Sequence, residues 1–252
     1  MDHTAAWRPC APSAIEWPVR RLPIGRPCAD PLESRRESWA IGYKDRGIRL
    51  PGKLSNVPKS QVVKLCLAQD PEADALLSEN PLSLVIAMVL DQQVPLEWAF
   101  RAPVELSRRL GAPLDANTLA VMDPEKLTGV FAAKPSLHRY PASMAKRVQA
   151  LTVEVADNYG GDATKVWKDA ETGKELLNRV KALPGFGEQK ARIFTALLGK
   201  QFDVRPDGWV DACAPYGEAG SFRSVADITD EASLLKVREY KKSMKAAAKS
   251  TT

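Results

Sequence analysis

Apolar side chains recur at the spacing of amphipathic helices along most of the chain, from about Gln61 to the C-terminus. Residues 82–90 form an almost unbroken apolar run, which predicts a largely buried helix. No segment alternates polar and apolar positions in the way that a half-buried strand does. Short polar or glycine-containing connections separate the helical segments. The pattern therefore predicts an all-α fold.

Capping residues mark where these helices begin and end. Aspartate or asparagine stands before proline at 70–71, 80–81 and 123–124, which is the usual order of an N-cap and the first helical residue. Glycines at 111, 160–161 and 199 predict helix ends. Three helices are predicted to begin after residues 70, 115 and 123. The other predicted helices cover residues 82–90, 97–110, 142–159, 163–170, 171–183, 187–198 and 231–249.

Residues 1–58 differ from the rest of the chain in composition. They carry three of the 6 tryptophans and 10 Lys/Arg against 6 Asp/Glu, with no sustained period. We expect an extension without a fixed fold, or a start codon assigned upstream of the true one. Residues 59–249 are then a single helical domain, followed by a short tail at 250–252.

Charge and cysteine content narrow the functional classes. The net charge of +5 suits an anionic partner, but residues 59–252 hold 26 Lys/Arg against 25 Asp/Glu, so a nucleic-acid surface there must be a local patch. The 4 cysteines lie far apart and lack the ligand spacing of a zinc or iron–sulfur site, so we predict no metal and no cofactor. Neither a membrane span nor a secretory signal is visible, and we expect a cytoplasmic protein with reduced thiols.

The most informative segment is Leu-Pro-Gly-Phe-Gly-Glu-Gln-Lys-Ala at residues 183–191, between two predicted helices. Its two glycines, Gly185 and Gly187, predict a tight turn that leaves backbone N–H groups free at the start of the second helix. The helix dipole attracts a phosphate to such a position. The pattern resembles the hairpin of the helix-hairpin-helix DNA-binding motif. The alternative is an ordinary connection between two helices.

Three further segments extend this resemblance in the right order along the chain. Leu-Asp-Gln-Gln-Val at 90–94 is similar to a Gln-Gln-Ile/Val segment of proteins like 3-methyladenine DNA glycosylase II. Residues 139–147 resemble the basic segment that begins a long helix in the middle of the domain. Asp207 follows the hairpin pattern by 16 residues, the spacing in endonuclease III-like members. Over about 65–245, the chain resembles the HhH-GPD superfamily of base-excision-repair glycosylases, of the actinobacterial type and without the iron–sulfur cluster.

The resemblance implies a fold, a reaction and a partner. The fold would be two all-α subdomains with a helix-hairpin-helix motif and an active-site cleft between them. The reaction would be hydrolysis of the N-glycosidic bond of a base flipped out of duplex DNA, with a carboxylate stabilising the positive charge that develops on the sugar. The expected partner is duplex DNA with an alkylated or deaminated base. We expect the protein to bind this DNA as a monomer in the cytoplasm, associated with the nucleoid.

The same resemblance assigns the candidate residues. Asp207 is the expected catalytic carboxylate, and a glutamine at 92 or 93 is expected to fill the gap left by the flipped nucleotide. The expected DNA contacts are Gly185, Phe186, Gly187, Gln189, Lys190, Gln92, Gln93, Lys146 and Arg147, and the aromatic candidates for a base pocket are Trp98, Trp209 and Phe100.

The chain departs from the family pattern around Asp207 and at Gln189. The proline and glycine that flank Asp207 are unusual there, and Pro-Asp-Gly is also a signature of helix N-caps, so a capping role stays open, with Asp203 and Asp211 as alternative carboxylates. Members that also cut the strand use a lysine where this chain has Gln189, so no lyase activity is expected. Lys190 is expected to face solvent or a phosphate.

Simpler interpretations compete with the functional ones. His138 is expected to be a surface histidine, and Trp98 belongs either to the core or to a pocket. The lysine-rich C-terminal helix either binds DNA or is simply solvated. The alternative to a glycosylase is a non-catalytic module that recognises damaged or distorted DNA. A protein-interaction domain that has kept only the fold is a third possibility.

Overall fold

The computed structural model describes residues 64–250, with side chains as far as residue 247. This part of the chain contains eleven α-helices, one 3-10 turn and no strand, which confirms the predicted all-α class. Residues 1–58, predicted to be an extension, and residues 251–252 lie outside the described residues. The helices are α1 (Pro71–Glu79), α2 (Pro81–Leu90), α3 (Leu96–Leu110), α4 (Ala116–Ala120), α5 (Pro124–Ala132), α6 (Pro141–Tyr159), α7 (Lys165–Lys168), α8 (Gly173–Ala182), α9 (Glu188–Gln201), α10 (Trp209–Ala212) and α11 (Glu231–Ser250), with the 3-10 turn at Val225–Asp227.

Side-chain caps form at the helix starts that the sequence marks with aspartate or asparagine. Asp70, Asn80, Asp115 and Asp123 each accept a hydrogen bond from a backbone N–H in the first turn of the helix that follows. Thr172 caps α8 in the same way. Proline is the first residue of α1, α2 and α5, where its missing N–H would have no partner in any case.

The predicted end of α9 at Gly199 is wrong, because the helix continues to Gln201. Gly199 lies under the indole ring of Trp209, and a β-carbon at position 199 would come within 2.4 Å of the Trp209 Cζ3 atom. The glycine therefore permits a close approach of this ring and does not end the helix.

Helix α2 lies in the centre of its neighbours. Every residue from Leu82 to Leu90 is buried, and α1, α3 and α6 pack around it. This explains the unbroken apolar run, since no side of the helix meets water. No helix of the described part has by itself the length and hydropathy of a membrane span, whereas α1 and α2 taken together do and are bent by 117°.

The helices contact one another mainly in two groups, α1–α6 and α7–α11 with the 3-10 turn. In the second group, the Phe194 ring of α9 packs against the rings of Trp167 and Phe186, with centroids 5.9 and 5.5 Å away. The buried apolar side chains of both groups form one continuous cluster. The turn between α8 and α9 contacts Val89, close to the C-terminal end of α2.

Candidate functional site

The turn between α8 and α9 is held against α2 by a glycine. Gly185 has a φ angle of +91°, in the region that side chains rarely adopt, and a β-carbon there would lie 3.2 Å from both methyl groups of Val89. The Phe186 side chain, predicted to contact DNA, is buried against Phe194 and is not available for such a contact. The backbone of the turn remains exposed at Gly185 and Gly187.

Gly187 has no comparable role inside the protein. Its φ angle of −85° suits any residue, and no atom lies within 4 Å of the position of a β-carbon. It is the N-cap of α9, and no side chain accepts a hydrogen bond from the first turn of this helix. The first N–H groups of α9 therefore lack both an intrahelical partner and a side-chain cap.

Lys190 connects α9 to the end of α2. Its Nζ donates hydrogen bonds to the carbonyl oxygens of Met88, at 2.6 Å, and Val89, at 3.2 Å. Lys190, expected to face solvent or a phosphate, is half-buried and directs its ammonium group to the last carbonyls of α2, which have no intrahelical partner. Burial lowers the pKa of Lys190 to about 8, against the opposing effect of Asp91.

The Gln-Gln segment begins at the same end of α2. The Gln92 side chain donates from Nε2 to the carbonyl oxygen of Val89, at 2.5 Å, and accepts from the Arg147 guanidinium of α6, at 2.6 Å. Gln93 is exposed, and its backbone is in the left-handed region with a φ angle of +56°. Three segments with the predicted sequence patterns thus meet here: the hairpin, the Gln-Gln segment and α6.

His138 fastens the loop before α6 to this segment. Its Nδ1 accepts a hydrogen bond from the Tyr140 backbone N–H at 3.0 Å, so Nε2 carries the proton and donates to the Gln92 carbonyl oxygen, 2.9 Å away. The expectation of a surface histidine is wrong: the side chain is 1% exposed, and burial lowers its pKa. The neighbouring Tyr140 ring is exposed, with the Arg139 guanidinium 5.4 Å from its centroid.

A carboxylate that the sequence analysis did not select also lies here. Asp91 follows the last residue of α2 and is half-buried. Burial raises its pKa, while the charges of Lys241 and Lys190 lower it and Glu97 raises it. A polar residue directly after a buried helix was the available signal for this position.

Asp207 lies elsewhere. Its carboxylate is exposed, and its backbone carbonyl accepts a hydrogen bond from the N–H of Gly173, the first residue of α8, at 2.8 Å. The hairpin follows the last residue of α8, and ten helical residues span about 15 Å. Asp207 is also not an N-cap, because α10 begins after Gly208 and has no side-chain cap. The alternative carboxylate of Asp203 forms an ion pair with Arg205, 3.1 Å away.

The remaining candidates are divided between the two regions. The Trp209 ring packs on Gly199, near Asp207 and away from the hairpin. Gln189 is exposed and donates from Nε2 to the Tyr216 hydroxyl at 3.0 Å. The other three positions are Phe100, which is fully buried, Lys146, which is exposed on α6, and Trp98, which is 43% exposed and lines a groove of about 470 Å³ with Pro135 and Leu137.

No cluster of His, Cys, Asp or Glu among the described residues has the arrangement of a metal site. The C-terminal helix α11 carries a basic groove that Arg238, Lys241, Lys242 and Lys245 line. Comparisons with protein-family models, with curated proteins and with solved structures gave no match.

Proposed function

We propose that this protein is a monofunctional DNA glycosylase, which binds duplex DNA with an alkylated or deaminated base and hydrolyses the N-glycosidic bond of that base. The observation that carries the proposal is the meeting of three segments at the C-terminal end of α2. These are the hairpin at 183–191, the Gln-Gln segment at 90–94 and the N-terminal half of α6. They are far apart in the chain, and each resembles a DNA-binding segment of the same superfamily.

The hairpin supplies the phosphate anchor of this proposal. The N-terminus of α9 offers uncapped N–H groups beside Gly187, whose missing side chain leaves room for a phosphate to approach the backbone. The negative charge of the nearby Glu188 carboxylate is balanced, because it forms ion pairs with Lys181 at 2.5 Å and with Arg192 at 2.9 Å. A hairpin of this kind positions the DNA without reading its sequence.

The Gln-Gln segment supplies the groups that stabilise a distorted duplex. Extruding a base costs a few kcal/mol, which a side chain inserted in the gap partly offsets. Gln93 is exposed and free to enter the gap, whereas Gln92 is held by Val89 and Arg147. The exposed Tyr140 ring offers a surface on which a base stacks.

The proposal excludes strand cleavage and needs no cofactor. Gln189 occupies the position of the family lysine, and the Lys190 amine is engaged with the end of α2. The protein would act as a monomer in the cytoplasm, associated with the nucleoid. The two groups of helices would correspond to two subdomains that line the active-site cleft.

The second candidate function is a non-catalytic module that recognises damaged or distorted DNA. The position of Asp207 favours it, since this carboxylate is separated from the hairpin by the length of α8. The two candidates predict the same DNA binding and differ only in base release.

A panel of duplexes that each carry one alkylated, deaminated or oxidised base separates the candidates. Alkali cuts the strand at abasic sites, so a glycosylase yields cut strands after alkali and none without it. Lesion-dependent binding without base release on any duplex would favour the non-catalytic module. A protein that neither binds nor releases would refute both candidates.

A matched pair of arginine variants tests the location of the surface. Arg147 is exposed beside Gln92, and Arg205 is exposed at the opposite end of α9, where it bonds to the carbonyl oxygen of Gly199. We expect Arg147→Gln to weaken DNA binding and to lower the slope of log Kd against log salt by about 1. Arg205→Gln should leave both unchanged.

A further inference from the structure

Glycoside hydrolysis needs a carboxylate close to the reacting sugar. The bond to the base breaks with positive charge on C1′, and a carboxylate within contact distance stabilises this charge or activates the attacking water. Asp207 is exposed at the far end of α8, about 15 Å along the helix from the hairpin that would hold the DNA. The reaction therefore calls for a different carboxylate.

Two carboxylates near the end of α2 and the hairpin are already paired with cations. Glu188 is paired with Lys181 and Arg192, and Glu97 is paired with Arg238 of α11. Asp91 forms no ion pair with a described cation at contact distance. Its carboxylate thus remains available to a bound molecule.

The surroundings of Asp91 suit this task. It directly precedes Gln92 and Gln93, the residues proposed to fill the gap in the duplex, and it is half-buried. Its carboxylate interacts electrostatically with Lys241 of α11 and with Lys190, whose amine lies on the last turn of α2. Partial burial strengthens the interaction of a carboxylate with a cationic transition state, because less water screens it.

We propose that Asp91, and not Asp207, is the catalytic carboxylate, an inference that rests on the proposed glycosylase function. The C1′–N bond breaks, and its electron pair leaves with the base. The Asp91 carboxylate stabilises the resulting sugar cation and accepts one proton from the attacking water, whose hydroxyl forms the new bond to C1′. The products are the free base and an abasic sugar. A deaminated base leaves as an anion and takes up one proton, which the proton released from the attacking water through Asp91 balances. An alkylated base that carried a positive charge leaves neutral, and Asp91 then returns its proton to solvent.

The charges of Lys190 and Lys241 act on Asp91. Burial raises the pKa of Asp91, and the nearby ammonium groups of Lys190 and Lys241 counteract this effect and favour the ionised form that the reaction needs. Glu97 opposes them, and its own charge is balanced by Arg238.

Two isosteric variants test the assignment in the full chain. Single-turnover base release and DNA affinity are measured for wild type, Asp91→Asn and Asp207→Asn on the lesion that the wild type processes. We expect Asp91→Asn to lower the rate of release by at least about 100-fold, the usual effect of removing a group that stabilises transition-state charge, with the Kd for DNA unchanged within a factor of about three. Asp207→Asn should release the base at the wild-type rate.

The contrary outcomes are distinct. Wild-type rates in Asp91→Asn, or loss of release in Asp207→Asn alone, would overturn the assignment and leave the glycosylase proposal standing. A wild type that binds DNA and releases no base would refute the glycosylase proposal, and Asp91 with it. A far-UV circular dichroism melt identifies a folding defect in Asp91→Asn, in which case Asp91→Ser, measured the same way, decides the assignment.

Discussion

The two glycines of the hairpin are expected to respond in opposite ways to replacement by alanine. Gly185→Ala puts a β-carbon on a backbone with φ of +91° and 3.2 Å from the methyl groups of Val89. A left-handed backbone costs a residue other than glycine about 1–2 kcal/mol, so the free energy of unfolding should fall by at least this amount. The folded variant keeps the uncapped start of α9.

Gly187→Ala adds a methyl group to open space on an ordinary backbone. The entropy that alanine removes from the unfolded chain stabilises by about 0.4–1 kcal/mol, and the poorer N-cap costs a similar amount, so the stability should change little. A bound phosphate, however, would be pushed away from the N–H groups of α9. Losing one charge-assisted hydrogen bond of about 1.5–3 kcal/mol should weaken DNA binding by about 10- to 150-fold.

Urea unfolding followed by circular dichroism measures the first effect, and fluorescence anisotropy with a labelled duplex measures the second. Wild-type affinity in Gly187→Ala would refute the idea that a phosphate approaches this backbone. A loss of more than about 2 kcal/mol in the stability of Gly187→Ala would mean that the glycine serves the fold instead.

Three further predictions concern buried titratable groups. Burial lowers the pKa of Lys190 to about 8, so the free energy of unfolding of wild type should rise relative to that of Lys190→Met between about pH 8 and pH 10.5, by up to about 3 kcal/mol. Urea unfolding measures this difference, and curves of stability against pH that run parallel for the two proteins would contradict it. Burial lowers the pKa of His138, so wild type should lose stability as pH falls below 6.5, whereas His138→Gln should not lose this contribution. Urea unfolding of both proteins across this pH range measures the difference. Burial raises the pKa of Cys213 to about 11, so a maleimide at pH 7.5 should label this thiol, by peptide mass spectrometry, only after denaturation; rapid native labelling would refute its burial.

The helix boundaries followed from local sequence because their causes are local. Asp70 and Asn80 cap the helices that begin one residue later, and each capping bond spans only two or three residues. The turn between α8 and α9 is local in the same sense, since the left-handed backbone of Gly185 shapes it within a few residues. Such features depend little on the rest of the fold and are therefore visible in the sequence.

The roles of Lys190 and His138 depend on partners far away in the chain. Lys190 bonds to Met88 and Val89, about a hundred residues earlier, and His138 bonds to Gln92, which is 46 residues away. Nothing in the sequence around either residue indicates these carbonyls. Side chains whose charge or polarity suggests a surface position were thus buried by tertiary contacts.

The position of Asp207 depends on tertiary contacts. The sequence places it 16 residues after the hairpin pattern, but its place in space depends on the path of the chain after α9. The Val204 N–H turns back to the Leu198 carbonyl, and the Trp209 ring covers Gly199, so the segment stays at the C-terminal end of the helix. The physical cause is a packing contact between distant faces, which the sequence does not reveal.

Under the proposed function, the two hydrogen bonds from Lys190 to the end of α2 bear on the kinetics of DNA binding. They join the hairpin to the Gln-Gln segment in the free protein, so the two surfaces need no mutual ordering when DNA arrives. Encounter is then governed by diffusion and by attraction between the cations of the site and the phosphates, which hardly differ from one lesion to another. Different lesions would then be distinguished mainly by the dissociation rate: a base that leaves the stack readily would be held for longer, although it would not be found sooner.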